Sequence, residues 1–340
     1  MTRADRYRAA GVDLDALDRA KARIAETVAS TRTELARGIP GGFGGMVRLP
    51  AGIADPTLVM STDGVGTKVL VAQRAGRHHT VGEDLVNHCV NDILVHGARP
   101  IAFLDYIAGA GVPTDTLAVL VEGVGRGCRA HRMTLVGGET AELPDLYQQG
   151  HYDLAGTIVG VVAEGDALHG DRVRVGDVLV GYASNGLHTN GYSLARRILF
   201  DELKLDVDSD VGELGGPVGE VLLQVHLSYW NAVHSILPRL HALAHITGGG
   251  IPGNLVRVLP QGCGATVRTG AWPLPPLFAF LQRKGRVSEE EMYRVFNMGI
   301  GMIAVAAPAD ADAVRDAARR ANIETWLIGE ITRGAGVSLA

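Results

Sequence analysis

The segment DGVGTK, residues 63–68, is the most chemically suggestive stretch of the sequence, because it places an acid, two glycines and a lysine after an apolar run. Glycine amides and a lysine can bind phosphate, and the acid can hold the accompanying cation. The segment fits neither common phosphate fingerprint, since Thr67 separates Gly66 from Lys68, and Val69 stands where a dinucleotide motif needs glycine. It therefore predicts a phosphate loop of another kind or, taken alone, an ordinary Asp-Gly turn.

Four acids lie within or just after predicted elements, at Asp63, Asp92, Asp105 and Glu139. Magnesium prefers hard oxygen ligands and usually takes one or two carboxylates together with phosphate oxygens. Each acid has a simpler explanation when taken singly, for example a turn residue at Asp63 or an exposed helix residue at Asp92. Only the set as a whole indicates a magnesium site.

A second polar cluster is SNGLHTNGYSLARR, residues 184–197. Thr189 or Asn190 could cap the helix predicted to follow, and a helix N-terminus favours a phosphate or a developing oxyanion. His188 could hydrogen-bond a substrate or move a proton near neutral pH. The simpler interpretation is a capped helix that carries a surface histidine.

Alternating helices and strands must position these clusters, and hydrophobic periodicity predicts where they lie. Helices are predicted at residues 13–37 (with Asp13 as a candidate N-cap), 82–97, 114–131, 190–201, 221–242, 276–284, 288–297 (with a Ser288–Glu291 capping box) and 310–321. Strands are predicted at 57–62, 100–108, 133–138, 152–164, 178–183, 265–268, 300–306 and 325–331. The pattern predicts an α/β (α+β) protein with domains 1–168 and 169–340, separated near a polar stretch at 165–172.

Composition and the absence of certain sequence patterns argue against several classes of function. The chain has 340 residues, a net charge of −5 and no basic run, which argues against nucleic acid as a partner. Neither an apolar signal core nor a membrane-length apolar span is visible, so no membrane partner is expected and the cytoplasm is the expected location. Three cysteines without a C-x-x-C pair argue against a disulfide framework or a structural zinc site. The 45 glycines cluster at 41–45, 137–138 and 247–253, where close backbone approach to a nucleotide is plausible chemistry.

Nine segments carry a family resemblance when they are taken in order. They are GGFGG, STDGVGTK, VNDILVHGARPIAFLDY, LVGGETAELP, YDLAGTIVGVV, SNGLHTNGYSL, AHITGGG, NLVRVLP and EMYRVFNMGIGM. Together they closely resemble the phosphoribosylformylglycinamidine cyclo-ligases, or aminoimidazole ribonucleotide (AIR) synthetases, from about residue 7 to residue 331.

The resemblance implies a two-domain AIR synthase-like fold. The N-terminal sheets of two chains would pair across a homodimer, and the C-terminal domain would be a mixed sheet with helices. The implied activity is ATP-dependent cyclisation of formylglycinamidine ribonucleotide, a small substrate that carries a ribose phosphate, in purine biosynthesis. An iminophosphate-type intermediate would give AIR, ADP and phosphate.

The resemblance also implies site residues, with ATP, Mg²⁺ and a monovalent cation as candidate cofactors. The metal ligands would be Asp63, Asp92 and Glu139. The nucleotide would lie on Gly41, Gly42, Gly44, Gly45, Asp63, Gly64, Gly66, Thr67 and Lys68, with residues 41–45 as a mobile cover and Lys68 facing phosphate. The substrate would contact His188, Asn190, Ser193 and His245, and the catalytic residues would be Lys68, His188 and Asp105.

One segment departs from the family pattern. Where the family reads close to P-T-R-I-Y-V-K, this chain reads QVHLSYWN at 224–231 and keeps only Tyr229. Loss of two cations could weaken phosphate binding and point to a paralogue with another amide substrate, or to a silent ATP-binding scaffold. The preferred interpretation is that 221–242 is a helix whose outer face has drifted, because surface helix positions tolerate substitution. Retention of Asp63, Asp92 and Glu139 argues against the scaffold.

Overall fold

A computed structural model of the chain describes residues 14–38 and 44–340, with side chains from residue 19 onward. The candidate N-cap Asp13 and the glycines Gly41 and Gly42 lie outside the described residues, so the predictions made for them stay predictions. Among the described helices, none is long and apolar enough to cross a membrane.

The strands in chain order are β1 (Ala36–Arg37), β2 (Met46–Val47), β3 (Pro56–Gly64), β4 (Arg99–Gly109), β5 (Thr134–Glu142), β6 (Tyr152–Ala163), β7 (Val178–Ala183), β8 (Asp210–Val211), β9 (Gly216–Pro217), β10 (Leu240–His245), β11 (Cys263–Val267), β12 (Ile300–Ala306), β13 (Thr325–Arg333) and β14 (Val337–Leu339). The α-helices are α1 (Leu14–Ser30), α2 (Lys68–Arg74), α3 (Val81–Leu94), α4 (Thr114–Ala130), α5 (Tyr192–Arg196), α6 (Val218–Leu222), α7 (Trp230–Val233), α8 (Gly250–Leu255), α9 (Pro276–Gly285), α10 (Glu289–Val295) and α11 (Ala311–Arg320). The Ser288 hydroxyl accepts a hydrogen bond from the Glu291 amide, as one half of the predicted capping box requires.

The first sheet has the strand order β3-β6-β4-β5, with β4 and β5 parallel and the other pairs antiparallel. Helix α3 packs on β3 and β6, and α4 packs against α3 and α1. Leu85, Cys89 and Ile93 recur one turn apart on α3 and are fully buried, which is the spacing of an apolar helix face. This layer holds α3 firmly over the carboxyl end of β3.

The opposite face of the first sheet is only partly covered. Leu35, Val47 and Ile53 pack over one end of it, beside Ala102 and Val161. Beyond them Leu58, Met60, Leu104 and Tyr106 remain 37–64% exposed. Large apolar side chains that share one sheet face and stay in water are typical of a surface that another molecule covers.

The second sheet has the order β10-β12-β7-β13-β11-β14 and is antiparallel except for the β11–β14 pair. Every residue of β12 is buried, and its side chains alternate between two apolar clusters. Ile303 and Val305 join a cluster that continues into the first domain, whereas Met302 and Ala304 pack towards α11. The predicted mixed sheet with helices is therefore confirmed.

The helix predicted at 221–242 is wrong. Helix α6 ends at Leu222, residues 224–229 run without regular structure, and a short α7 and a 3₁₀ turn lead into β10. The apolar spacing resembled a helical stripe, but the main chain of 225–229 is held by side chains from distant elements, and Pro238 lies in the 3₁₀ turn. His226 and Tyr229 are fully buried, so this segment is not a drifted helix surface.

Candidate active site

Two acids and two histidines meet where β3, α3 and β10 end or cross. Asp63 is the last residue but one of β3, His88 and Asp92 stand one turn apart on α3, and His245 is the last residue of β10. Asp63 Oδ2 lies 2.8 Å from His88 Nε2, and Asp92 Oδ1 lies 2.8 Å from His245 Nδ1. A distance of 3.7 Å between His88 Nε2 and Asp92 Oδ2 joins the two pairs. We call these four residues the Asp–His cluster.

Electrostatics keep both acids of this cluster ionised. Burial acts to raise the pKa of Asp63, but the bond to His88 and the His88 charge outweigh it and hold that pKa below its usual value. The pKa of Asp92 is lowered in the same way, because the bond to His245 and its charge overcome burial. Among the described residues no lysine or arginine pairs with either acid. Two carboxylates that are balanced only by imidazoles form a site suited to a dication.

Lys68 does not face an open phosphate site in this structure. Its side chain is fully buried, its ammonium lies 2.8 Å from Asp84 Oδ2, and it donates a 2.6 Å hydrogen bond to the Gln224 carbonyl. Burial lowers the pKa of Lys68 and raises that of Asp84, and their mutual attraction limits both shifts. The sequence alone could not reveal this pairing, because a lysine after two glycines looks the same whether its partner is a phosphate or a carboxylate.

Side chains of helix α3 hydrogen-bond to the main chain of residues 226–229, within the segment that departs from the family pattern. Asp84 Oδ1 accepts from the His226 amide at 2.7 Å, and Asn87 donates to the His226 carbonyl at 2.8 Å. Asn91 donates to the Leu227 carbonyl at 2.8 Å and accepts from the Tyr229 amide at 3.0 Å. We call Asp84, Asn87 and Asn91 the α3 clamp. It fixes His226 beside His245, with their Nε2 atoms 3.3 Å apart.

His188 is a core residue and not a surface histidine. It is 2% exposed, has a positive φ of 62°, and stacks on the His226 ring with centroids 4.0 Å apart. Burial lowers its pKa well below the usual value, so its ring is neutral. Among the described residues neither ring nitrogen has a hydrogen-bond partner. Gly301 lies so close that a Cβ there would collide with the Tyr229 hydroxyl and the His188 ring.

The loop after His188 faces the DGVGTK segment. The predicted capping by Thr189 or Asn190 is wrong, since the N-cap of α5 is Gly191 at φ 79° with no side-chain cap. Thr189 Oγ1 lies 2.6 Å from His88 Nδ1 instead. Ser193 Oγ lies 3.2 Å from Thr67 Oγ1, so side chains of the two domains meet at this point. Asn190 in turn lies beside Gly248, in the glycine turn that opens α8.

Asp105 and Glu139 lie elsewhere in the first domain. Both line a cavity of about 100 Å³ beneath α1 and α4, which Ile24 and Val28 also line. Burial raises the pKa of Asp105 to about 6. Glu139 is on β5, three strands from β3, so it is separated from Asp63 by roughly 14 Å of sheet. Within one chain, Glu139 does not join Asp63 and Asp92.

The remaining glycines are placed as follows. The Gly64 amide donates to Asp63 Oδ1 at 2.6 Å, and Gly66 has a positive φ of 64° in the turn that follows. Gly45 packs against Val136, whereas Gly44 has open space around it. The mobile cover proposed for residues 41–45 stays a prediction, because most of it lies outside the described residues.

The site contains Ser61 and His88, which the sequence reasoning missed. It also contains Thr189, predicted only as a helix cap, and His226, predicted to lie on a helix surface. The spacing of His88 and Asp92 was an available signal, since residues four apart share one helix face. No such signal existed for Thr189 and His226, because they come from loops whose positions depend on the tertiary structure.

Comparison with solved structures establishes the class of protein. The chain aligns with thiamine-monophosphate kinase from Stenotrophomonas maltophilia K279a at a TM-score of 0.67 and 18% identity, covering 95% of this chain and 94% of that one. It also aligns with hydrogenase maturation protein HypE in complex with ATP, at a TM-score of 0.65 and 18% identity, over 92% and 86% of the two chains. At this identity the likeness shows a shared two-domain α/β fold.

Sequence relatives then narrow the class to a family. Residues 46–162 match AIR synthase related protein, N-terminal domain, and residues 174–340 match the C-terminal domain of the same description. A phosphoribosylformylglycinamidine cyclo-ligase of Sorangium cellulosum is 47% identical over 96% of this chain and 94% of its own length. That of Geobacillus kaustophilus is 46% identical over 98% and 97%. The chain belongs to the phosphoribosylformylglycinamidine cyclo-ligase family, as the nine segments predicted.

Proposed function

We propose that this chain is an ATP-dependent cyclo-ligase that converts formylglycinamidine ribonucleotide to aminoimidazole ribonucleotide, with release of ADP and phosphate. The proposal rests on the 46–47% identity with cyclo-ligases of two bacteria over almost the whole chain. The convergence of the DGVGTK segment, the Asp–His cluster and the loop at 188–193 supports this proposal.

The reaction must make a poor leaving group into a good one. An amide oxygen leaves badly and the formyl carbon is a weak electrophile, so ATP phosphorylates that oxygen to give an iminophosphate-type species. The amidine nitrogen then attacks the activated carbon, the ring closes and phosphate departs. The protein must hold the reacting ends together and exclude water, and no side-chain nucleophile is required.

Asp63 and Asp92 are the proposed ligands of the divalent ion that accompanies ATP, which would be Mg²⁺. When bound, that ion offsets phosphate charge during phosphoryl transfer. The amides and hydroxyl of Gly64, Gly66 and Thr67 would line the phosphates. Lys68 would act through Asp84 by fixing the start of α2. Glu139 is left out of this set, and a monovalent cation stays a prediction.

The substrate would lie along the edge formed by Asn190, Ser193 and the Gly248 turn, where polar groups of the second domain meet Thr67. His245 would be connected to this edge by its contact with Asp92. His188 is buried beneath His226, so its proposed contribution is to support that ring and not to touch solvent-borne substrate directly. Asp105 lies in a different cavity and has no proposed contact with the reacting atoms.

We also propose a homodimer in the cytoplasm. The exposed apolar face of the first sheet supports it, since Leu58, Met60, Leu104 and Tyr106 would be covered by the same face of a second chain. Size measurement with light scattering should give twice the 35.8 kDa chain mass, and Met60→Glu should lower it. The proposed domains, 1–168 and 169–340, agree with the gap between the two family matches.

The decisive experiment supplies purified protein with ATP and formylglycinamidine ribonucleotide and follows ADP and the imidazole product by mass spectrometry. Equal amounts of the two products are expected. ADP formed only with a different amide would identify a paralogue of the family instead. No substrate-dependent ADP at all would leave an ATP-binding scaffold.

A further inference from the structure

The Asp–His cluster has the donor atoms of a transition-metal site. Candidate ligand atoms of His88, Asp92 and His245 all lie within 4.8 Å of one another, and Asp63 adds a second carboxylate at 2.8 Å from His88 Nε2. Ligands of a tetrahedral ion at about 2.0–2.2 Å stand roughly 3.3 Å apart, so small side-chain movements would bring these atoms around one ion.

The outward atoms of the same side chains are already bonded. His88 Nδ1 lies 2.6 Å from Thr189 Oγ1, and His245 Nε2 lies 3.3 Å from His226 Nε2. Ser61 donates a 3.1 Å hydrogen bond to Asp92 Oδ2. Metal-binding histidines and carboxylates characteristically have such outer partners, because these orient the ring and leave the inner nitrogen free to coordinate. Two ion pairs that only stabilised the fold would not require an outer hydrogen-bond partner for each of their residues.

The burial of the cluster suits an ion with one open side. The His88 and His245 side chains are 3% and 5% exposed, whereas the Asp63 side chain, at the start of the DGVGTK segment, is 45% exposed. An ion held here would be enclosed by imidazoles at the back and open to an incoming oxygen at the front. That is the arrangement in which metals bind a substrate or phosphate oxygen.

We propose that these four residues bind a divalent first-row transition ion, of which Zn²⁺ is the representative, more tightly than Mg²⁺ when no nucleotide is present. Imidazole nitrogen suits zinc and its neighbours, whereas Mg²⁺ demands octahedral oxygen and keeps its waters. The proposal rests on the proposed function in assigning the ion to Asp63 and Asp92. It adds His88 and His245 as ligands and His226 as the residue that positions His245.

The test uses the full chain after treatment with a chelator, with Co²⁺ as a spectroscopic substitute for Zn²⁺ and without ATP or substrate. We expect one Co²⁺ per chain with an inner-sphere visible absorption band. Equimolar Zn²⁺ should remove the band, and an excess of Mg²⁺ of about 100-fold should not, given the ligand preferences. Displacement by that excess of Mg²⁺, or no band at all, would overturn the proposal.

Variants identify the ligands. His88→Gln and His245→Gln should each weaken Co²⁺ binding about 100-fold, and His226→Gln about 10-fold, as loss of a ligand and of its outer partner respectively. The matched control is His241→Gln, which breaks another His–Asp pair, 2.7 Å from Asp177, outside the cluster. Equal loss of Co²⁺ binding in the His241→Gln control would overturn the ligand assignment. The competition between Co²⁺, Zn²⁺ and Mg²⁺ uses the wild-type protein, so that test does not depend on the folding of a variant. Co²⁺ binding without cyclo-ligase activity would refute the proposed function alone.

Discussion

Asp84 and Asp92 stand two turns apart on α3, and their surroundings differ in partner and in exposure. Asp84 is fully buried against Lys68 and also accepts the His226 amide, whereas Asp92 is 20% exposed and meets only imidazoles and Ser61. A carboxylate that is buried against an ammonium group is locked into the structure. A carboxylate that is balanced by histidines can bind a metal ion in place of its hydrogen bonds to them. The same residue type on one helix therefore supports the fold at one position and chemistry at the other.

The largest effect is expected from Asp84→Asn. Removal of the negative charge leaves the Lys68 ammonium buried without a counter-ion, which costs about 3–5 kcal/mol of unfolding free energy. The denaturant midpoint measures it. Replacement of both partners, Asp84→Asn with Lys68→Met, should recover part of the loss. A single variant as stable as wild type would show that Asp84 and Asp92 do not differ in this way.

Asp92→Asn should do the opposite. Turnover should fall about 100-fold or more, equivalent to ~2.7 kcal/mol of transition-state stabilisation, while the melting temperature falls much less than in Asp84→Asn. Asp63→Asn should behave alike. Steady-state kinetics and thermal melting on the same samples separate the two effects. If melting falls as far as it does in Asp84→Asn, Asp92 is a structural residue after all.

Asn91→Ala tests the clamp between the two acids. The substitution removes bonds to the Leu227 carbonyl and the Tyr229 amide, and a contact to His226, so a loss of about 3 kcal/mol is expected. The control is the exposed Asn231→Ala, which should stay within about 0.5 kcal/mol of wild type. Similar stability of the two variants would contradict the clamp.

Asp105→Asn tests the effect of burial on a carboxylate that has no cationic partner. The folded pKa of Asp105 is raised to about 6, above the unfolded value, so the contribution of this one group to stability is greatest at low pH and falls as pH rises from about 4 to 6. The variant lacks this pH dependence. The unfolding free energy of the variant minus that of wild type should therefore be about 2 kcal/mol larger at pH 7 than at pH 4. The measurement is the difference in unfolding free energy across that pH range. A constant difference would show that Asp105 is not strained by burial.

Local sequence patterns predicted part of this molecule well. The bounds of β7 and β12 were predicted to the residue, because each is a short buried apolar run between turn residues. The family resemblance located Asp63, Asp92 and His245, which the structure brings together. Residues 224–229 could not be predicted, because their main chain bonds to side chains of α3 and not to itself. For the same reason, substitutions in this segment are not surface changes, since His226 is fully buried in the site.

The α3 clamp also has a consequence for how the chain folds. Its bonds join residues that are 135 to 142 positions apart in sequence. At a synthesis rate of about 5–20 residues per second, α3 is exposed for roughly 10–30 s before its partner segment has been made. During that time Lys68 and Asp84 lack part of their burial, and a first-half fragment cannot complete its apolar core. We therefore expect the nascent first half to reach its native packing around α3 only after residues 224–229 have been made.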